Sequence, residues 1–331
     1  MNNKILNTIV ATTLLTGLGT VICSGQALSQ QAPQGITVTI EAPEVQTPQL
    51  PDPSKYFVVD FDDLDGTDSF EITNDNTTYS YSNDLEVKAA NQWGGANGSK
   101  FITQEVLESI RSYSLTVSED QKYFGFWWSA GDPYNQITFK NDGEEVASFK
   151  TADIVNFINS SGTVNSSAYH GNPAYSGEDT GHLNEPFSFV NVFFNNDLAY
   201  DEIVVATLTE GGAAFESDNH TFSAFPQEIR GAVIPNNAPV ANTDEVTTSI
   251  FSTITIDALA NDTDEAKDTL IITDVSAAFS GGQATVDTEN NKIVYIAGSV
   301  PGGFSMTYTV QDEKGASSEG TINITVTAAP D

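Results

Sequence analysis

The sequence predicts an all-β protein made of a jelly-roll-like β-sandwich followed by a second, smaller β-sandwich. Short runs rich in β-branched and aromatic residues recur from Tyr56 onwards, and Gly, Asn and Asp punctuate nearly every gap between them. Strands do not alternate with long helices, as they would in a parallel α/β fold. We therefore expect antiparallel sheets packed face to face.

The N-terminal residues have the three-part layout of a secretory signal peptide, which we assign to residues 1–29. Lys4 precedes an apolar run from Ile9 to Ile22, and cleavage after either Ala27 or Ser29 fits the small residues there. The run is shorter than the ~20 apolar residues of a membrane span. We expect a secreted protein at the cell surface or in the extracellular space, without a stable transmembrane span once the signal is removed.

Charge and cysteine content restrict the partners. The 331 residues include 45 acidic and 12 basic side chains, for a formal net charge of -33. Nucleic-acid phosphates require clustered Lys and Arg, so no nucleic-acid partner is expected. Acidity of this kind suits a solvated surface or divalent cations. The single cysteine, Cys23, lies in the predicted signal, so the mature protein relies on core burial or bound metal rather than a disulfide.

A leader rich in Pro and Gln, residues 30–54, precedes the first predicted sandwich at residues 55–230. Its prolines oppose helix and central strand, so we expect a flexible segment. The alternating run from Ile36 to Ile40 fits either a strand docked on a neighbour or an extended chain. One helical turn is predicted from Thr103 to Arg111 and another from Thr151 to Ile158. The predicted strands are Tyr56 to Phe61, Tyr113 to Val117, Tyr123 to Trp128, Gln136 to Phe139, Phe187 to Phe194, Glu202 to Leu208 and His220 to Phe225.

Residues 231–239 combine Pro, Asn and Gly and predict a linker that acts as a hinge before the second sandwich at residues 240–328. Seven short strands are predicted there, and their spacing fits an immunoglobulin-like sandwich of about 90 residues. They are Glu245 to Thr248, Thr253 to Asp257, Leu270 to Val275, Gln283 to Asp287, Lys292 to Ile296, Ser305 to Gln311 and Gly320 to Thr327.

The motifs of this second region resemble the cadherin-like and bacterial immunoglobulin-like repeats of surface adhesins. An opening NAPVA at 237–241, a central LANDTD turn at 259–264 and a late YTVQD segment at 308–312 occur in the order of those repeats. The resemblance covers about the last quarter of the chain. It implies an extracellular adhesion or structural role and, by analogy with cadherins, cations that stiffen a domain junction.

The first region resembles a domain of bacterial exosortase-associated surface proteins of the PEP-CTERM type. The motifs are Phe61-Asp62-Asp63-Leu64, the aromatic run YFGFWW at 123–128 and FESDNH at 215–220, and the resemblance covers roughly residues 56–225. It implies an exported, β-rich surface protein. The sorting helix and basic tail of that family are not seen before Asp331, so anchorage by that route is not expected.

Calcium is the predicted cofactor, because this hard cation takes six to eight oxygen ligands and clustered Asp supplies them. In the second sandwich we expect ligands from Asp262, Asp264 and Asp268 in one turn and from Asp244 and Asp312 near the domain junction. The alternative is that these residues only form turns. A second site would join Asp62, Asp63 and Asp65 with Glu216 and Asp218, since the first and last strands of a jelly roll commonly pair.

Two tryptophans are candidate glycan contacts, because sugars stack on aromatic rings edged with polar groups. Strand alternation places Phe124, Phe126 and Trp128 on one face of their strand and Trp127 on the other. Trp127 and Trp93, the latter in a loop of Gly and amide residues, are the candidates. Ordinary core packing is the alternative for Trp127, and a loop contact is the alternative for Trp93.

No enzymatic activity is predicted. Glu216-Ser217-Asp218 begins the ExDxxE signature of jelly-roll glycan hydrolases, but Thr221 stands where the second Glu belongs, and double displacement requires that acid. The three histidines are too scattered for a zinc site. We therefore expect a noncatalytic surface or extracellular-matrix protein with an adhesion or structural role. Its expected partners are glycans or other copies of itself. A carbohydrate-binding module and a polysaccharide hydrolase remain the alternatives.

Overall fold

A computed structural model describes residues 35–67, 69–82, 85–104, 112–175, 177, 182–208, 214–264, 268–276 and 281–329. The predicted signal peptide lies outside these residues, as does most of the helical turn predicted from Thr103 to Arg111. In the described part of the chain, no helix is both long and apolar enough to cross a membrane.

Within the described residues, the first part of the chain forms fifteen strands and one α-helix, α1 (Thr151–Ser160). Short 3-10 turns lie at Pro53–Lys55 and Ser166–Ala168. The strands are β1 (Ile36–Ile40), β2 (Phe57–Val59), β3 (Gly66–Thr67), β4 (Phe70–Asn74), β5 (Thr77–Tyr81), β6 (Leu85–Lys88), β7 (Phe101–Gln104), β8 (Ser112–Gln121), β9 (Tyr123–Ser129), β10 (Asn135–Asn141), β11 (Glu144–Lys150), β12 (Ser188–Phe194), β13 (Tyr200–Thr207), β14 (Glu216–Ser223) and β15 (Ala232–Val233).

Two antiparallel sheets enclose the core of this first sandwich. The larger has the order β15-β1-β12-β9-β14-β7-β6-β3, with β2 also paired to β14, and the smaller has the order β11-β10-β13-β8-β5-β4. Phe124, Phe126 and Trp128 of β9 point between the sheets into the main core. Both aromatic and aliphatic side chains fill that core, as the β-branched and aromatic runs of the sequence require.

The described part of the second sandwich contains seven strands and a 3-10 turn at Ala258–Asn261. The strands are β16 (Asp244–Ser249), β17 (Thr253–Ile256), β18 (Ile271–Val275), β19 (Gly282–Asp287), β20 (Lys292–Ala297), β21 (Gly302–Gln311) and β22 (Ser317–Thr327). One sheet has the order β16-β22-β21-β18, in which β16 runs parallel to β22, and the other has the order β17-β20-β19. Tyr295, Tyr308 and Ile324 lie in the core between them. The predicted all-β class with two sandwiches is confirmed.

The described part of the predicted flexible leader is packed onto the first sandwich, so the expectation of flexibility is wrong there. All five residues of β1 are buried, and β1 lies between β12 and β15 in the larger sheet. Glu41, Gln46 and Leu50 that follow are also buried. Of the two alternatives for Ile36–Ile40, the docked strand is therefore the one observed. Prolines after β1 do not interrupt its ladder.

The predicted hinge at 231–239 also takes part in this packing. β15 pairs with the end of β1, and Ile234 is buried in the main core. A residue fixed in a sheet cannot act as a free hinge point, because rotation there would break ladder hydrogen bonds. The exact domain limits given above remain predictions.

The hairpin turn, defined here as residues 312–316 between β21 and β22, contacts the first sandwich. The Ser148 amide donates to the Glu313 carbonyl at 2.7 Å, and the Ile36 amide donates to the Lys314 carbonyl at 3.0 Å. Gly35 has a φ of 72°, and a Cβ there would lie 1.9 Å from the Lys314 carbonyl oxygen. Glycine is thus required for this close approach.

Candidate metal centre

Three of the aspartates predicted to bind calcium lie together beside the hairpin turn. Oxygens of Asp264, Asp268 and Asp312 all lie within 4.8 Å of one another. Asp312 is held by the turn itself, because its Oδ1 accepts hydrogen bonds from the amides of Lys314 and Ala316, each at 2.9 Å. Asp264 Oδ1 in turn accepts from the Asp268 amide at 3.2 Å. Backbone amides therefore fix the carboxylates of Asp264 and Asp312 in place.

Asn236, from the predicted linker, adds an amide to this group. Its Nδ2 donates to Asp312 Oδ2 at 3.0 Å. Asn236 Oδ1 and Asp264 Oδ2 are both buried oxygens without a hydrogen-bond partner in the structure. Burial raises the pKa of Asp312 to about 6, with a smaller contribution from the charge of Asp268, and outweighs the hydrogen bonds from Asn236 and Ala316 that lower it. Unpartnered oxygens beside a carboxylate that is reluctant to ionise are the environment that a hard cation relieves, so these residues fit calcium.

Lys314 lies in a second group of carboxylates that shares Asp268 with the first. Asp153, Asp268 and Glu313 have oxygens within 4.8 Å of one another. Lys314 Nζ is 2.6 Å from Asp268 Oδ2 and 2.9 Å from Asp153 Oδ2. Burial opposes the charge of this lysine, but the nearby charges of Asp153 and Asp268 outweigh it and raise the pKa of Lys314.

Asp244 and Asp262 form a separate pair and do not join the group at the hairpin turn. Asp262 accepts from the Tyr308 hydroxyl at 2.8 Å and from the Asn242 amide at 2.7 Å. Burial and the charge of Asp262 raise the pKa of Asp244 to about 6. The two predicted groups are therefore observed in a different arrangement. Asp312 joins Asp264 and Asp268, whereas Asp262 does not, because its carboxylate accepts the hydrogen bond of the Tyr308 hydroxyl.

The second predicted calcium site, with Asp62, Asp63 and Asp218, is not formed. β2 and β14 do pair as expected. However, Asp218 is fully buried and accepts from the Ala96 amide at 2.8 Å and the Ser99 hydroxyl at 2.5 Å, and burial raises its pKa to about 7. Asp62 instead accepts from the Lys100 amide. Among the described residues, no group of potential metal ligands contains these three aspartates.

The two candidate glycan contacts differ in exposure. The predicted alternation along β9 is observed, but Trp127 on the outer face is 0% exposed, packed with Ala96, Phe187 and Phe189. The predicted sugar contact at Trp127 is therefore wrong, because loops cover the outer face of the larger sheet. Trp93 is 42% exposed, and its ring centroid lies 5.0 Å from that of His182.

Sequence reasoning missed Lys314, Asp153 and Asn236 at the junction. Asp153 lies in the first turn of α1, far along the chain from the other ligands. A basic residue directly after two acids in a tight turn, as in Asp312-Glu313-Lys314-Gly315, is the signal that was available for Lys314. It did not indicate which carboxylates would surround the lysine.

Comparison with known proteins shows a family similarity for the second sandwich. Residues 236–325 match the bacterial Ig domain family. This match confirms the bacterial immunoglobulin-like part of the resemblance, whereas the resemblance of the first sandwich to exosortase-associated proteins stays a prediction. A comparison with curated proteins found no match.

Solved structures show partial similarity at low identity. One is a nucleoside hydrolase-related hypothetical protein from Saccharophagus degradans, with 20% identity and a TM-score of 0.24 over 28% of this chain and 26% of that chain. Another is the M60 catalytic domain with two CBM51 domains of Clostridium perfringens ZmpB, with 14% identity and a TM-score of 0.20 over 88% of this chain and 28% of that chain. Drosophila N-cadherin EC1-4 has 12% identity and a TM-score of 0.21, covering 80% of this chain and 71% of that chain. This chain thus spans about a quarter of the length of the first two.

Proposed function

We propose that this chain is an exported, noncatalytic protein of the cell surface or extracellular matrix, with an adhesion or structural role and a calcium ion at the junction of its two sandwiches. The bacterial Ig domain at residues 236–325 supports the surface role. The signal-like N-terminus supports export. Fractionation of producing cells should find the protein on the outer surface or in the medium, and a purely cytosolic protein would contradict the proposal.

The observation that carries the calcium proposal is the grouping of Asp264, Asp268 and Asp312 beside two buried, unpartnered oxygens. Asp264, Asp312 and Asn236 would hold the ion, with Asp268 as a fourth ligand. Each provides an oxygen of the kind that calcium prefers, and water would complete six to eight ligands. The ion would bring together the predicted linker, a loop of the second sandwich and the hairpin turn.

We expect calcium to raise the melting temperature and EDTA to lower it. An ion that binds only the folded protein stabilises it by RT ln(1 + [L]/Kd), which gives roughly 5–10 °C at about 100 times Kd for a protein of this size. Differential scanning calorimetry in calcium and in EDTA measures the difference. Asp264→Asn should remove most of it, because that carboxylate has a buried oxygen with no other partner.

Asp257→Asn is the matched control for this measurement, since Asp257 is exposed and paired with Lys292 in the same sandwich. It should leave the effect of calcium on the melting temperature unchanged.

Because the pKa of Asp312 is raised, the metal-free protein gains stability from this group as the pH falls from 7 to 5. The difference in melting temperature between calcium and EDTA should become smaller over the same pH range, because protons compete with calcium for the Asp312 carboxylate. A melting temperature equal in calcium and EDTA at pH 7 would refute the calcium proposal.

A second candidate function is glycan binding, favoured by the exposed ring of Trp93 beside His182. The strongly acidic chain points to neutral rather than anionic glycans, because like charges repel. Binding on a glycan array that is lost in Trp93→Ala would support this function. If the protein bound none of the glycans tested, the adhesion or structural role would be the remaining proposal.

A further inference from the structure

Lys314 is the only buried lysine among the residues that the structure describes. Its side chain is 4% exposed, although lysine almost never loses contact with water unless it is paired. The backbone on either side is fixed, because the Lys314 carbonyl accepts from Ile36 and the Lys314 amide donates to Asp312. The lysine is therefore held at the contact between the hairpin turn and the first sandwich.

The ammonium group of Lys314 lies within a set of oxygens that has the dimensions of a divalent-cation site. Asp153, Asp268 and Glu313 have carboxylate oxygens within 4.8 Å of one another, and Nζ contacts the first two of these residues. Asp153 belongs to the first sandwich, whereas Asp268 and Glu313 belong to the second. Glu313 Oε2 also pairs with Lys150 of the first sandwich at 3.0 Å, and its Oε1 is buried without a hydrogen-bond partner.

Without a cation, three carboxylates this close and this buried would repel one another and lose hydration with no compensation. A calcium ion would satisfy them, and so does a covalently attached ammonium group. The ammonium differs in being present at every calcium concentration. It therefore cannot be removed by a chelator.

We propose that Lys314 is a tethered cation that occupies a second divalent-cation site, formed by Asp153, Asp268 and Glu313, and that it holds the two sandwiches together without metal. The inference builds on the proposed calcium site, with which it shares Asp268, but it concerns a different cation. As a consequence, removal of calcium lowers the stability of the contact between the two sandwiches, but the hairpin turn stays bound to the first sandwich. The protein would keep its shape in calcium-poor surroundings.

The test replaces the ammonium while keeping the length of the side chain. In EDTA, Lys314→Met is expected to melt roughly 10 °C below the wild type, because it leaves buried carboxylates without a counter-charge. Calcium should restore most of this loss. Isothermal titration with calcium should show one more bound ion per protein for Lys314→Met than for the wild type.

Lys292→Met is the matched control, since Lys292 forms an exposed pair with Asp257 in the same sandwich. It should change the melting temperature by no more than about 2 °C and bind no additional ion. If Lys314→Met gains no ion, or does not fold in either calcium or EDTA, the tethered-cation proposal is overturned.

Asp153→Asn provides an independent test in a variant that keeps the lysine. Its melting temperature should fall equally in calcium and in EDTA, because Asp153 is a partner of Lys314 and not of calcium in the wild type. A loss seen only in calcium would make Asp153 a metal ligand and would overturn the proposal. A wild type without any calcium response, together with a gained response in Lys314→Met, would refute the proposed calcium site and support the tethered cation.

Discussion

Replacing Trp127 with alanine should lower the free energy of unfolding by about 3–5 kcal/mol, the usual range for removing a buried aromatic residue. Trp127 is fully buried on the outer face of the larger sheet, where it packs with Ala96, Phe187 and Phe189. Its ring centroid lies 6.2 Å from that of Phe187. Ala96 and Phe187, which lie in loops over this face, would lose their apolar contact with the indole ring, because alanine leaves a cavity that they cannot fill. Urea denaturation measures the change.

Trp127→Phe separates packing from polarity at this position. The indole nitrogen Nε1 is buried and has no hydrogen-bond partner in the structure, so phenylalanine removes that unpaired donor while it keeps an aromatic ring. We expect Trp127→Phe to retain most of the stability that Trp127→Ala loses. Trp93→Ala is the matched control, since its ring is partly exposed, and it should cost less than about 1 kcal/mol. If Trp127→Ala had normal stability but no longer bound glycans, the packing role would be contradicted and the predicted sugar contact at Trp127 would be supported.

Local patterns in the sequence predict which face of a strand a residue occupies, but not what covers that face. The alternation along residues 123–128 separates Phe124, Phe126 and Trp128 from Trp127, as observed. Whether the outer face meets water or protein depends on segments that reach it from distant parts of the chain, such as the one after β1 that contributes Leu50. β1 itself is a short alternating run among prolines, and its local sequence does not identify its partners, β12 and β15.

The strands of the second sandwich were easier to predict than those of the first, because turn-forming residues mark the ends of its strands. Each of its seven predicted strands overlaps one of β16 to β22. The grouping of Asp264 with Asp268 follows from a single turn, and a turn is a local feature of the sequence. Asp153 and Lys314 meet only because two separate sandwiches contact each other, and a single sequence carries no periodicity that reports such a contact. The grouping of aspartates in the candidate metal centre was therefore predicted in part, and the lysine beside it was not predicted.

Acidification should destabilise the first sandwich through His220, which lies in the main core. His220 is 1% exposed, and its Nδ1 and Nε2 are hydrogen-bonded to the Tyr81 hydroxyl at 3.0 Å and the Ser217 hydroxyl at 2.9 Å. The rings of Phe61 and Phe124 pack against it with centroids 5.1 and 5.3 Å away. A neutral imidazole uses one nitrogen as donor and the other as acceptor, and both needs are met here.

Burial lowers the pKa of His220 to about 3, because the imidazolium ion would lose its hydration in this aromatic surrounding. Its unfolded-state value is near 6.5, so only the unfolded protein takes up this proton between pH 6.5 and 3. The contribution of His220 to stability is therefore complete above pH 6.5 and falls by about 1.4 kcal/mol per pH unit below it, up to roughly 5 kcal/mol in total.

Buried carboxylates act in the opposite direction and must be separated from this effect. Burial raises the pKa of Asp132 to about 6 and that of Asp218 to about 7, so both groups stabilise the fold as the pH falls from 7 towards 4. The difference in unfolding free energy between the wild type and His220→Gln cancels these contributions, because both proteins contain the same carboxylates. At pH 7 the variant should be less stable by about 1–3 kcal/mol, since glutamine cannot satisfy Tyr81 and Ser217 in the same geometry.

Below pH 6.5 this difference should shrink and then change sign, because glutamine does not titrate. Urea denaturation at pH 7, 6, 5 and 4 measures it, provided that both proteins stay folded without denaturant. His170→Gln is the matched control, since His170 lies in a partly exposed loop and bonds the Ser166 carbonyl. A wild-type advantage over His220→Gln that is the same at pH 7 and pH 4 would show that a protonated imidazole is tolerated in the core, against the burial that lowers its pKa.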